Sequence, residues 1–274
     1  MEIKDNILQG DNIKFIKSPN TAGVFKPGAM DTVIIHFTAG STAESAIRTL
    51  CDDKVAAKKR TSAHIVIGQQ GEITQLVPFN TVAWHAGDSQ YQGRSGFNQY
   101  SIGIEIDNPG ELTKSGDKYI SWFNKVYPES EVVYLTHRNQ STPKYWHTFT
   151  EKQIEAVFAI CAALDLTYPI KYILGHEEIS PLRKTDPGPA FPLEKLRDRI
   201  LNSRQDDGVE ENVMTLGKVK TDLLNIRLNP DKTAEMVAKP LKKGQNVTIL
   251  EEKNGWLKVT TEITGWVAKD FVES

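Results

Sequence analysis

Three prolines in one short stretch constrain this chain more than any other feature. Pro181, Pro187 and Pro189 fall within Gly175-His-Glu-Glu-Ile-Ser-Pro-Leu-Arg-Lys-Thr-Asp-Pro-Gly-Pro-Ala-Phe191. Proline lacks a backbone N–H and biases the preceding residue towards extended backbone. Most of the stretch is therefore predicted to be non-helical, with Asp186 extended before Pro187. If Lys184 to Asp186 is extended, those two side chains point to the same side. A carboxylate able to bind a cation then lies beside an ammonium able to bind an oxyanion, just after the imidazole of His176. That set suits metal-assisted hydrolysis, and it needs one more ligand from elsewhere.

The supply of ligands is small. The histidines are His36, His64, His85, His137, His147 and His176. Cys51 and Cys161 are too far apart in the chain for a zinc ribbon. Both fall on apolar helical faces and are expected as two buried thiols rather than a disulfide. A catalytic zinc site takes three protein ligands and leaves one position open. His36 is the best third candidate. It ends the apolar run Val33-Ile-Ile-His36, which breaks at Ala39-Gly40, and ligand sites gather where buried strands give way to loops. The pattern alone leaves open whether His36 is a ligand or a core histidine with a backbone partner.

A second signal lies in Ser101-Ile-Gly-Ile-Glu-Ile-Asp107. Ile102, Ile104 and Ile106 share one face of the predicted strand, and Gly103, Glu105 and Asp107 share the other. A carboxylate on the inner part of a strand needs a partner. A salt bridge and a general base aimed at activated water both satisfy that need.

Composition bounds the function. The 274 residues carry 25% charged and 39% hydrophobic side chains, as in ordinary globular proteins. A net charge of −2 offers no electrostatic case for nucleic acid or an anionic membrane as partner. No apolar run approaches the ~18 residues of a membrane helix. The first ten residues lack the apolar core of a signal peptide, so synthesis in the cytoplasm without a Sec signal is expected.

Organisation follows from pattern. Strands are predicted at Val33–Phe37, Ala63–Ile67, Glu72–Val77, Ser101–Ile106 and Lys171–Leu174, with a hairpin at Gln69-Gln70-Gly71. Capping boxes at Ser41-Thr-Ala-Glu44 and Thr150-Glu-Lys-Gln153 open two helices, and Pro192–Leu201 forms a third. Interleaved strands and helices give an α/β class, a mixed central β-sheet flanked by helices. Residues 202–212 are polar, acidic and aperiodic, and read as a linker. After them come short β-like runs at Leu223–Leu228, Asn246–Leu250, Trp256–Thr260 and Gly265–Val267. Residues 213–274 are thus expected as a small all-β unit.

Residues 30–200 resemble the zinc-dependent N-acetylmuramoyl-L-alanine amidases of the type-2 amidase family, which includes the peptidoglycan recognition proteins. The ordered matches are Val33-Ile-Ile-His36-Phe-Thr-Ala-Gly40, Thr61-Ser-Ala-His64, Gly71-Glu72, Ala83-Trp84-His85-Ala86-Gly87, Ser89-Gln-Tyr-Gln-Gly-Arg94, Ser101-Ile-Gly-Ile-Glu105 and the proline-rich stretch. The resemblance implies one Zn2+ on His36, His176 and Asp186, with Glu105 activating water and Lys184 steadying the oxyanion, in a catalytic domain of residues 1–201. The bond cut would join the lactyl group of N-acetylmuramic acid to L-alanine, with peptidoglycan or muropeptides as partner. Trp84 and His85 are expected along the sugar groove, Tyr91 and Arg94 against the peptide, and His64 in support of the site.

Two segments depart from the recycling amidases of that family. One is an aromatic-rich insert, about Glu111 to Phe149, expected as a flap over the groove. His137 and His147 within it are expected to be solvated or locally packed. The other is the C-terminal unit, which resembles bacterial SH3-like domains that bind cell-wall peptides. It favours polymeric wall as substrate, and hence the cell wall as place of action. The rivals are a cytosolic recycling amidase acting on anhydro-muropeptides and a non-catalytic wall-binding protein. Members that only bind lack a metal ligand, whereas Asp186, Glu105 and Lys184 are all present here.

Overall fold

The computed structural model describes residues 1–202, 215–253, 255–260, 264–268 and 272–273. The chain divides into two compact units, Met1–Asp207 and Gly208–Ser274. The linker read at 202–212 lies, apart from Asn202, outside the described residues.

The first unit is built on a six-stranded mixed sheet. Its order is Tyr172–Gly175, Thr32–Phe37, Ser101–Ile106, Ile65–Ile67, Ile73–Gln75 and Ile13–Phe15. The first four strands run parallel. Ile73–Gln75 then folds back antiparallel on Ile65–Ile67. At that turn Gly71 has φ +78°, and a Cβ there would lie 2.8 Å from the Lys152 carbonyl oxygen. Parallel strands are covered on both faces and read as continuous apolar runs, which is what Val33-Ile34-Ile35 is. All three are fully buried.

Alternation along the strands sorts the two faces. Val33, Ile35, Ile102, Ile104, Ile106 and Ile173 share one core cluster with residues of the helices Glu151–Thr167 and Leu193–Leu201. Ile34 and Leu174 belong to a separate cluster with Ala86, Phe97 and Ile179. Each fully buried Ile or Leu contributes roughly 1.5–3 kcal/mol, so the three central strands form a rigid base.

The long helix starts as its sequence predicts. Thr150 Oγ1 accepts from the Gln153 N–H at 3.1 Å, and Gln153 Oε1 accepts from the Thr150 N–H at 3.0 Å. The first helix, Ala43–Leu50, begins one residue later than its sequence signal: Thr42, not Ser41, caps it by accepting from the Ser45 N–H at 3.1 Å. Two adjacent hydroxyl residues suit a cap equally well, and tertiary context chose between them. Cys51 and Cys161 are free thiols.

The insert is a sheet. Residues 111–147 form five antiparallel strands in the order Val126–Tyr127, Lys118–Ile120, Glu111–Ser115, Pro143–His147 and Val132–Thr136. Leu112, Tyr119 and Tyr127 make its own small core.

The second unit is all-β among its described residues. Strands Thr264–Ala268, Trp256–Thr260, Asn246–Lys253, Thr215–Val219 and Val272–Glu273 form one antiparallel sheet in that order, and Leu223–Leu224 pairs with Leu241–Lys242. Its core comprises Val219, Leu224, Ile226, Leu241, Val247, Leu257 and Val259. No helix among the described residues is long and apolar enough to cross a membrane.

Candidate metal centre and active site

Strand register assembles the site. Glu105 is paired with His36 across neighbouring parallel strands. Gly175 is paired with Ile35 on the other side of the same strand. His176, one residue on, opens the short helix His176–Ile179 at that level. Glu105 and His36 near the ends of their strands and His176 just past the end of its strand therefore lie at one height, and the proline-rich loop returns Asp186 beside the two histidines. His36 Nδ1 lies 2.9 Å from His176 Nδ1, and Asp186 Oδ2 lies 2.9 Å from each of those nitrogens. All three residues are buried.

The far sides of the rings fix their tautomers. His176 Nε2 faces the Ala86 carbonyl oxygen at 3.0 Å, so that nitrogen carries the proton. His85 Nε2 faces the Ser101 carbonyl oxygen at 3.2 Å, which leaves His85 Nδ1 to accept from His36 Nε2 at 3.0 Å. Both imidazoles consequently turn a bare Nδ1 lone pair towards Asp186. Burial, reinforced by the neighbouring His176, pushes His36 down to about 4, so its ring is neutral at neutral pH. Two lone pairs and a carboxylate oxygen converge with no proton between them, a donor set that fits a divalent cation. Backbone carbonyls fixing imidazole tautomers are what support metal sites elsewhere.

These residues open on a cavity of about 610 Å³ whose walls include Trp84, His85, Glu105, Trp122, Phe123 and Lys184. Glu105 Oε2 is buried there with no hydrogen-bond partner. Burial first, then the Asp186 carboxylate, raises its pKa well above the usual value, with Lys184 opposing. A buried carboxylate oxygen without a partner is costly, and such groups concentrate at functional sites. Of the two readings that the strand pattern left open, the salt bridge does not form.

His85 lines the cavity beside Trp84 and also stands behind His36. Its ring occupies the space above Gly103, where a Cβ would come within 2.4 Å of it. The room that Gly103 leaves therefore serves His85. His64 braces the same strand from the other side. Its Nε2–H donates to the Thr81 carbonyl at 2.8 Å, and its Nδ1 accepts from the Gly103 N–H at 3.0 Å. The ring stacks near Phe25 and Phe79, and burial pushes it down to about 4.

Tyr91 and Arg94 are not among the residues that line the cavity. Arg94 Nη1 already pairs with both oxygens of Asp31 at 3.0 and 3.1 Å, and its guanidinium lies over Phe97, Tyr100 and Tyr172. Tyr91 packs on Phe97 and Tyr172. The expected partner of Arg94 was a peptide carboxylate; the partner present is Asp31. His147 packs against Tyr127, and its Nδ1 lies 3.1 Å from Asn108 Nδ2.

Arg183 was not read from the sequence, while Trp122 belongs to the insert that was expected as a flap over the groove. Arg183 Nη2 pins the loop by donating to the Ala86 and Asp88 carbonyls at 3.0 and 2.8 Å. From the insert, Trp122 donates its indole N–H to the Ala39 carbonyl at 2.7 Å and joins the cavity wall with Phe123. The aromatic richness of the insert was the signal for Trp122. For Arg183 the only signal was its place next to Lys184.

A mixed sheet whose parallel strand ends carry a buried His–His–Asp cluster beside a lone carboxylate defines a metallohydrolase-like site. Residues 26–189 match the profile of the N-acetylmuramoyl-L-alanine amidase family, and the chain belongs to that family. Residues 222–273 match the bacterial SH3 domain. AmpD of Escherichia coli K12, a 1,6-anhydro-N-acetylmuramyl-L-alanine amidase, is 37% identical over 151 residues, covering 54% of this chain and 62% of that protein. The N-acetylmuramoyl-L-alanine amidase AmiD of the same strain is 30% identical over 183 residues, 64% of this chain and 54% of that protein. The crystal structure of a selenomethionine AmpD derivative superposes with a TM-score of 0.50 at 28% identity, over 73% of this chain and 99% of that one. The chain thus spans 54–62% of the length of these two curated relatives.

Proposed function

We propose that this chain is a zinc-dependent amidase that hydrolyses the bond between the lactyl group of N-acetylmuramic acid and L-alanine of the stem peptide. The observation that carries the reading is the convergence of two bare Nδ1 atoms and Asp186 Oδ2 within 2.9 Å, next to the unpartnered Glu105. His36, His176 and Asp186 would hold the zinc, which would supply a Lewis acid for the scissile carbonyl and lower the pKa of water towards neutrality. Glu105 takes the proton of the attacking water and returns it to the leaving alanine nitrogen. The Lys184 ammonium, on the wall of the same cavity, stabilises the developing oxyanion. Trp84 and Trp122 offer aromatic faces to the substrate.

The bacterial SH3 unit supports polymeric peptidoglycan as substrate, and with it the cell wall as place of action. A module that binds wall raises local concentration on a polymer and does nothing for a diffusing fragment. The likeness to AmpD supports a second reading, an amidase of soluble anhydro-muropeptides. Mass spectrometry of products from intact sacculi and from soluble muropeptides separates them. Free stem peptides from both substrates, faster from sacculi, fit the first reading. Release from soluble muropeptides alone selects the second, and release from neither overturns the amidase assignment.

A further inference from the structure

The insert reaches every segment of backbone that carries a ligand of the candidate metal centre. Beyond His36, the Trp122 indole N–H donates to the Ala39 carbonyl at 2.7 Å. Next to His176, the buried His137 places Nε2 2.6 Å from Glu177 Oε2. Asn139 Nδ2 donates to the Glu177 carbonyl at 2.9 Å, and Arg138 pairs with Glu178. Beyond Asp186, Trp146 lies against Gly188, where a Cβ would sit 3.1 Å from its ring.

Glu177 joins these contacts. Its Oε2 also accepts from the Gly188 N–H at 3.0 Å, and its own N–H donates to the Asp186 carbonyl at 2.8 Å. One carboxylate oxygen thus ties the insert to the loops on both sides, while its backbone is one residue from His176. The His137 tautomer agrees. Nδ1 accepts from the Asn139 N–H at 3.1 Å, so Nε2 carries the proton and donates to Glu177. The ring stacks on Trp146, which is itself held by an indole N–H to the Leu135 carbonyl at 3.1 Å.

We infer that the insert is the outer frame of the metal centre, with His137, Asn139 and Glu177 as positioning residues that set zinc affinity. Ligand preorganisation is the physical basis. His176 and Asp186 must hold their lone pairs together before a cation arrives, and three short backbone segments do not do so unaided. Groups that orient ligands typically change metal affinity by about 10- to 100-fold when removed. The inference rests on the proposed function only for the identity of the metal.

The test measures zinc affinity of the full chain by competition with a chromophoric chelator at fixed pH, using Zn2+ alone as probe. Thermal melting of the metal-free proteins monitors the fold. Glu177→Ala and His137→Phe are expected to weaken zinc binding by about 10- to 100-fold. Asn139→Ala, at an exposed residue, removes one hydrogen bond and is expected to weaken it by about fivefold. Glu177→Gln keeps an oxygen where both N–H groups donate, and is expected to stay within about twofold of wild type, since geometry rather than charge is at stake. Lys144→Ala breaks an exposed ion pair to Glu111 in the same sheet and should change nothing. Folded Glu177→Ala that binds zinc as wild type does would overturn the inference. If Glu177→Ala and His137→Phe do not fold, Asn139→Ala decides, and unchanged affinity there also overturns it. A wild-type chain that takes up no zinc overturns both this inference and the proposed function. Wild-type uptake with no effect of any frame variant overturns the inference alone.

Discussion

Strand Thr32–Phe37 of the central sheet is buried from Thr32 to His36, while insert strand Val132–Thr136 runs from half-buried to exposed. The central sheet and the insert sheet differ in the same way at strands Ser101–Ile106 and Glu111–Ser115. The central one is parallel at its core, covered on both faces, and ends in ionisable groups. The insert is antiparallel, with a core of a few aromatic and aliphatic residues, and it places polar side chains on its neighbour's loops. The difference suits a division of labour. Apolar strands hold Glu105, His36 and His176 at one height, and the insert sheet places side chains on the loop that carries Asp186. In the central sheet, polar groups can go unpaired because neighbouring Ile and Val residues over-determine the backbone.

The largest effect should follow removal of the cation. Chelation, or Asp186→Ala, is expected to abolish amide hydrolysis while the apolar sheet stays folded, read as product release against far-ultraviolet circular dichroism. Full turnover in metal-free protein would break the assignment of chemistry to these strand ends. Glu105→Gln comes next. Zinc content should be retained and kcat should fall by ~10²–10³; wild-type kcat would mean that another group activates the water. Lys184→Ala should cost ~10² in kcat with zinc retained, and an effect confined to KM would assign it to binding.

Beside the central sheet the buried His64 makes stability depend on pH, as the less buried His147 of the insert does in the same direction. The folded pKa of His64, near 4, lies below the 6.5 of an exposed imidazole. Below 6.5 the unfolded chain binds the proton and the native chain resists it. The contribution is therefore complete above 6.5 and is lost as pH falls towards 4, by up to about 3 kcal/mol. His64→Gln should flatten the dependence of denaturant midpoint on pH across that window. Parallel slopes in wild type and variant would show that His64 is not its source. The smallest effect concerns the second unit. A chain ending at Leu201 should keep its rate on soluble muropeptides within about twofold and lose about tenfold on sacculi. Equal losses on both would mean that residues after Leu201 support the fold, not targeting.

His36, Glu105 and His176 were legible because each closes or interrupts an apolar run, and the alternation of Ile102, Ile104 and Ile106 told which way Glu105 faces. Lys184 and Asp186 were legible through the prolines around them. The insert was legible as aromatic but not as a sheet, since its strands are short and lack clean alternation. Arg94 looked free for a peptide carboxylate because Asp31, its actual partner, lies 63 positions away.

Local chemistry therefore determined much of this protein. Backbone preferences of proline and glycine, strand alternation and the types of donor group defined an α/β unit with a candidate metal site, then an all-β unit. Tertiary structure alone decided the pairing of His36 with His85, the freedom of Glu105 Oε2, the capture of Arg94 by Asp31 and the tie from His137 to Glu177 across 40 positions. Each of these depends on strand register and loop return. A register shift of one residue reverses which face a side chain occupies, so such contacts are settled only when the whole sheet has formed.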